Sequence, residues 1–209
     1  MDIEVASRGF DDRIRWDPAL IRKYDVAGPR YTSYPTALQF AEGFGSREYE
    51  QYLLERPPVI GPLSLYVHIP FCRNICYYCA CNKIVTRDAA VAERYIVALE
   101  KEIALLAHHH DQRRRVTQLH WGGGTPTFLS PSELTRLMHG LARHFSLIDA
   151  PEREYSIEID PRSVDTGTIA LLKGLGFNRI SMGIQDFDPQ VQRAINRIQP
   201  FDMVESLVD

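Results

Sequence analysis

The sequence contains no apolar run long enough to cross a bilayer, and its opening residues, MDIEVASRGFDDRIRW, mix acids with bases where a secretory signal needs an apolar core. A membrane span and export are thereby set aside, and a cytoplasmic location is expected. Charge of one sign is also lacking: 24 basic residues stand against 27 acidic ones, a net −3. The broad positive field that nucleic-acid binders use is missing, so no nucleic-acid partner is expected. Cysteine is nearly absent as well. All four (Cys72, Cys76, Cys79 and Cys81) fall within ten residues, with none elsewhere to staple distant segments. That excludes a disulfide framework, and in a reducing compartment such a group is metal-binding or catalytic.

What is present is 44% hydrophobic content over 209 residues, enough for one sizeable core, or for one domain plus an arm. Residues 1–55 show no sustained period of 3.6 or 2 and read as an irregular N-terminal arm. Arg56-Pro57-Pro58-Val59-Ile60-Gly61-Pro62 (56–62) reads as a linker, and 63–209 as the core. There a short β-rich run, a polar or glycine loop and an amphipathic helix recur, the pattern of parallel βα units.

Four units are expected. The first has a strand over Leu63–Ile69, the cysteine loop, and a helix from about Asp88 carrying Val91, Tyr95, Ile96, Leu99, Ile103 and Leu106 at helical spacing. The second has a strand over Val116–Trp121, a loop from Gly122 to Leu129, and a helix opened by Ser130-Pro131-Ser132-Glu133, with Ser130 at the N-cap and Glu133 returning to it. The third runs from Tyr155 to Asp160 and then through a helix containing Leu171 and Leu172, ended by Gly174 and Gly176. The fourth covers Arg179 to Gln185, followed by a helix from Asp188-Pro189. Four parallel strands make an open sheet or a half barrel, whereas closure takes about 250 residues. With 147 residues from Leu63 to Asp209, the core reads either as a compact four-stranded α/β domain or as the front part of a longer α/β protein.

Cys72, Cys76 and Cys79 form CxxxCxxC directly after a strand, so three thiolates converge at the carboxyl end of a parallel sheet, where such folds place their sites. Soft thiolates select zinc or iron-sulfur. Spacing alone leaves three readings open: a cluster with one open iron, a four-cysteine zinc knuckle using Cys81, and a fully ligated electron-transfer cluster. Gly122-Gly123-Gly124-Thr125-Pro126-Thr127 at the next strand end lets backbone approach a ligand. Glu158 and Asp160 alternate along the third strand, as a ligand contact or as a solvated strand end. Gln185 and Arg197 read, on their own, as capping and surface charge. His108, His109 and His110 read as a solvated turn, since consecutive residues share no helix face, and His68 and His120 as satisfied core histidines. In the arm, Tyr24, Tyr31 and Tyr34 can pack, and Arg30 can meet a substrate carboxylate.

The stretch from Tyr66 to Cys79 resembles the cluster loop of the radical S-adenosylmethionine superfamily, with Tyr78 as the aromatic residue before the last cysteine. The glycine motif one βα unit later is similar to that family's second motif. From Lys23 to Arg197, through Gly28-Pro29-Arg30-Tyr31-Thr32-Ser33-Tyr34-Pro35-Thr36-Ala37, Cys79-Ala80-Cys81-Asn82-Lys83 and Phe177-Asn178-Arg179-Ile180-Ser181-Met182-Gly183, the chain resembles the bacterial oxygen-independent coproporphyrinogen III oxidases. Cys81 and the Arg-Tyr arm separate them from the related haem chaperones.

The resemblance implies a partial, TIM-like (β/α) radical S-adenosylmethionine barrel. It implies a [4Fe-4S] cluster on Cys72, Cys76 and Cys79, a first S-adenosylmethionine at Tyr66, Gly123 and Glu158, and a second at Tyr78, Gly124, Thr125, Gln185 and Arg197. Tyr78 stands where the family is expected to carry phenylalanine. Cys81 is implied as a catalytic residue. The implied reaction turns two propionates of coproporphyrinogen III into vinyl groups by way of a 5'-deoxyadenosyl radical, giving protoporphyrinogen IX for haem. A flavodoxin- or ferredoxin-like donor would reduce the cluster, and a monomer is expected. The alternative carried beside this is an inactive fragment or a non-catalytic cluster- or haem-binding relative.

Overall fold

The computed structural model describes residues 17–26, 39–55, 61–111 and 113–208. The chain divides into two compact units, Met1–Glu50 and Gln51–Asp209. The arm's Arg30, Tyr31 and Tyr34, and residues 56–60 of the expected linker, lie outside the described residues.

The expectation of an irregular arm is corrected by two helices, α1 (Pro18–Tyr24) and α2 (Ser46–Glu55). Asp17 caps α1, its carboxylate accepting from the Ala19 and Leu20 amides, and Pro18 takes the first helical position. Gly45 N donates to Glu48 Oε2 at 2.9 Å at the start of α2. Both helices are short and seat almost no apolar side chain: α1 buries no residue and α2 only Leu53.

In the second unit the strand β1 (Leu63–Ile69) is followed by two short strands, β2 (Phe71–Cys72) and β3 (Ile84–Val85), and the helix α3 (Ala90–His108). Then come β4 (Arg115–Gly123), α4 (Pro131–His144), β5 (Ser146–Leu147), β6 (Glu154–Ile159), α5 (Thr166–Gly174), β7 (Arg179–Met182), α6 (Pro189–Ala194) and α7 (Phe201–Val208). The main sheet is parallel in the order β1-β4-β6-β7, with β5 extending the β4 ladder. Strand order follows chain order without reversal. That is the winding of a barrel segment, not of a doubly wound sheet.

Alternation along the strands decides which face packs. Val67, Ile69, Leu119, Trp121, Tyr155, Ile157 and Ile159 are buried in one core with Ile96 and Ile103 of α3, Leu134, Leu137 and Leu141 of α4, and Leu172 of α5. Because these helices share a single core with the odd-numbered strand residues, they lie on one face of the sheet. The even-numbered residues Tyr66, His68, His120, Ser156 and Glu158 are left for the other. Trp121 stands edge-on to Phe177 at 5.2 Å, its Nε1 without a partner among the described residues.

Several boundaries move. β4 runs on through Gly122 and Gly123, which the sequence assigned to a loop, because β1 pairs with it as far as Ile69↔Gly123. β7 stops at Met182, short of Gln185, whose φ of +69° cannot continue a strand. The capping box of α4 is formed as expected, Glu133 N donating to Ser130 Oγ while Ser130 N donates to Glu133 Oε2 at 2.7 Å. α5 ends at Gly174, and Gly176 takes a φ of +98°. His108 closes α3 and His109 caps it.

Candidate functional site

The site begins where β1 ends. After Pro70 the chain forms β2, and β3 returns to pair with it in the register Phe71↔Ile84 and Cys72↔Val85. Ile84 N donates to Pro70 O at 2.7 Å and Thr86 N to Cys72 O at 2.9 Å, so a short ladder closes the cysteine loop at its base. Inside it, Cys79 N donates to Cys76 O at 3.0 Å and Lys83 Nζ to Cys79 O at 2.8 Å. The far side is held by the turn after α6: Asn196 Nδ2 donates to Ile75 O at 2.8 Å and Tyr77 N to Ile195 O at 3.1 Å. All four thiols are free, with Cys72, Cys76 and Cys79 half-buried and Cys81 exposed.

The glycine segment lies directly on this base. Gly124 N donates to Ile69 O at 2.8 Å and Thr125 N to Phe71 O at 2.9 Å. A Cβ on Gly124 would stand 2.6 Å from Pro70 O, and one on Gly123, whose φ is +115°, 2.7 Å from the His68 ring. Glycine is required at both for close approach. Thr125 Oγ1 lies 3.5 Å from Cys72 Sγ.

Glu158 rises from β6 beside this segment. Its Oε2 accepts from Gly123 N at 3.3 Å, and its Oε1 lies 3.4 Å from His120 Nε2. His120 Nδ1 pairs with Ser156 Oγ at 2.6 Å. The Tyr66 ring stacks on His120 at 5.7 Å, and its hydroxyl is 3.0 Å from His68 Nδ1, while His68 Nε2 meets Asn82 O at 2.9 Å. His68 and His120 are therefore partnered, as expected, but they do not belong to the core. Both sit half-buried on the opposite face, because the strand period points even-numbered residues away from the helices.

A charged corner completes the site. Arg162 Nη2 donates to Asp160 Oδ2 at 2.6 Å and reaches Cys76 Sγ at 3.6 Å; Arg197 Nη1 lies 3.4 Å from each of the same two atoms. Burial pushes the Asp160 carboxyl up. The Arg162 hydrogen bond and the Arg197 charge outweigh it, so the pKa falls below the ordinary range and the carboxylate stays ionised. Arg162 is raised in return, first by its hydrogen bond to Asp160. Burial pushes the Cys72 thiol up, and burial with the neighbouring Cys79 does the same to Cys81, so metal uptake at Cys72 would release a proton.

These groups surround one open pocket of about 250 Å³. Cys72, Cys76, Tyr78, Cys79, Cys81, Gly123, Gly124, Thr125, Glu158, Gln185 and Arg197, all singled out from the sequence, line it. Tyr66 does not: it is 60% exposed and is tied to the site through His120. Among the described residues no three His, Cys, Asp or Glu side chains are gathered tightly enough to share one metal ion. Cys72, Cys76 and Cys79 all line the pocket, and because a cubane takes one thiolate per iron the donor set fits one. Arg162 and Lys83, which no motif marks, also line the pocket. Arg162 carried a signal, since Asp160-Pro161-Arg162 leaves a strand end with its two charges adjacent; Lys83 acts through the backbone of the loop and carried none.

The family model of the radical SAM superfamily matches residues 66–209. The chain is 52% identical over 198 residues to an oxygen-independent coproporphyrinogen III oxidase of Pseudomonas aeruginosa, covering 95% of this chain and 43% of that protein. It is 49% identical over 201 residues to its counterpart in Escherichia coli, covering 94% and 42%. The solved structure of coproporphyrinogen III oxidase (HemN) from Escherichia coli, described as a radical SAM enzyme, matches with a TM-score of 0.79 at 48% identity, over 93% of this chain and 42% of that one. The chain thus spans somewhat under half the length of these relatives. Among the described residues no helix is long and apolar enough to cross a membrane. Loop, glycine segment and family model agree from Tyr66 onward, and the chain belongs to the radical SAM superfamily, whose members in general use a [4Fe-4S] cluster and S-adenosylmethionine.

Proposed function

We propose that this chain is part of an oxygen-independent coproporphyrinogen III oxidase, a cytoplasmic enzyme that converts two propionates of coproporphyrinogen III into vinyl groups. The observation that carries the reading is the meeting, around one pocket, of the three loop thiols of the first βα unit with the glycine segment of the second. When bound, the cluster and S-adenosylmethionine supply the one-electron cleavage that starts hydrogen abstraction from a propionate side chain.

The chain's own residues have distinct tasks in this proposal. Cys72, Cys76 and Cys79 hold three irons and leave the fourth open. Gly123 offers close backbone approach to the amino-acid end of the nucleotide, and Glu158 offers a carboxylate to its ribose. Tyr66, fixed by His120 and His68, braces the same side. Tyr78, Gly124, Thr125, Gln185 and Arg197 would receive a second nucleotide. Asp160 and Arg162 neutralise each other beside Cys76, so the corner holds charge without repelling an anionic cluster. Cys81, exposed at the pocket edge, is the thiol available to substrate. The enzyme is proposed to act as a monomer, with a flavodoxin- or ferredoxin-like donor reducing the cluster.

The test is anaerobic reconstitution with iron and sulfide, reduction with dithionite, and chromatography for methionine and 5'-deoxyadenosine. Their formation is expected. A chain that takes up a cluster yet never cleaves S-adenosylmethionine is a non-catalytic binding module, and the proposal fails.

A further inference from the structure

The turn that follows β7 is built around two buried amides. Gln199 and Gln192 are 0% and 3% exposed, although Asp186, Asp188, Gln190, Arg193 and Asn196 around them face solvent. Both side chains are fully used. Gln199 Oε1 accepts from Arg197 Nε at 3.1 Å, and Gln199 Nε2 donates to Gly183 O at 3.2 Å and to Ile184 O. Gln192 Oε1 accepts from Gln199 N at 3.0 Å, and its Nε2 donates to Gln199 O and Asp186 O at 2.9 Å each. Burying amides costs stability unless every polar atom is paired, so a network this complete points to a geometric role as well as a packing one.

The network ends at the pocket on two sides. It grips the backbone on either side of Gln185, a non-glycine residue at φ +69°, and Asn196, just before Arg197, stands at φ +54°. Such conformations persist where neighbours over-determine them. It also fixes the inner edge of the Arg197 guanidinium. With Nε bound to Gly183 O at 2.9 Å and to Gln199, the plane of the group is set, and Nη1 is carried to Cys76 Sγ and Asp160 Oδ2.

We propose that Gln199, backed by Gln192, is a positioning residue: it sets the plane of the Arg197 guanidinium against Cys76 and Asp160 and holds the turn that presents Gln185 to the pocket. The inference rests on the reading of this pocket as a cluster and nucleotide site. A guanidinium held in place beforehand binds an anion without first losing its rotamer freedom. A donor kept on a cluster thiolate makes that cluster easier to reduce.

The test is a double-mutant cycle on the full chain, reconstituted with iron and sulfide and titrated with S-adenosylmethionine by calorimetry, with the midpoint potential followed by EPR. Gln199→Met is expected to keep its iron, to bind S-adenosylmethionine about tenfold more weakly, and to shift the potential to more negative values. In an Arg197→Met background the same substitution is expected to change affinity by less than about twofold, because its effect runs through Arg197. Additive losses, or a single variant that matches wild type in affinity and potential, overturn the proposal. Should Gln199→Met fail to fold, Gln192→Met decides: it leaves the Gln199 bonds to Arg197, Gly183 and Ile184 in place but removes their backing, and is expected to weaken affinity in the wild-type background and not in the Arg197→Met background; equal effects in both overturn the proposal. A wild-type chain that takes up no cluster defeats the functional reading. The inference is then judged on the metal-free protein by the exchange rate of the Arg197 Nε proton in nitrogen-15 NMR, expected to be slow in wild type and fast in Gln199→Met; equal rates overturn it.

Discussion

Gly123 carries two constraints that its place in a glycine run does not reveal, a φ of +115° and the His68 ring 2.7 Å from any added Cβ. Gly123→Val is expected to cost about 1–3 kcal/mol through backbone strain alone, with the ring contact adding to it, and to weaken nucleotide binding as well. Urea denaturation and calorimetric titration read the two effects separately; unchanged affinity in a folded variant would reduce the segment to a turn. For the thiols, Cys81→Ser is expected to retain its iron and sulfide after reconstitution, and Cys79→Ser to lose them; the reverse result sinks the assignment of ligands. The cysteines and glycines were legible because each acts through its own loop and its spacing in the chain. Asp160 and Arg162 pair two positions apart, but their meeting with Cys76 and Arg197, and the bonds of Gln199 to Gly183 and Ile184, join different elements, and Arg197 meets Cys76 across 121 positions of sequence. Such pairings leave no local mark, and a buried glutamine among solvated polar residues looks like one of them.

The helices and long strands follow from period and capping. Ser130 and Glu133 close a capping box on α4, whose buried Leu134, Leu137, Met138 and Leu141 form the stripe that seats the helix. Ser130→Ala is expected to lower stability by about 1 kcal/mol, seen as a lower urea midpoint at unchanged slope, with cluster loading intact. A shift within error would mean that packing alone fixes the helix start. The elements that escaped the sequence are of two kinds. β2, β3 and β5 are two residues each, too short for a period of 2 to register. The helices of the arm bury almost nothing, and α7, which buries Val204, lies past the last unit that the repeat marks out.

At the scale of the molecule, the succession of βα units made the strand order legible, but not which face of the sheet would be left polar. β4 and β6 are each flanked by paired strands, while β1 and β7 each have one neighbour in the main sheet. Hydrogen exchange is therefore expected to be slowest at the amides of Leu119, Trp121 and Ile157, and faster along β7; equal protection in all four strands would contradict this ordering. The two sides of the cysteine loop also differ in how they are reached. Its base is closed by β2 and β3 within about fifteen residues of chain, whereas Asn196 reaches Ile75 O, and Ile195 accepts from Tyr77 N, only after the chain has wound through three further βα units. Closing the longer loop costs more chain entropy, and during synthesis its partners emerge later. The base of the cysteine loop is thus closed by its own neighbours in the chain, while its other flank hangs on the last unit, so loosening the turn at Ile195 and Asn196 would free one side of the loop and leave the base shut.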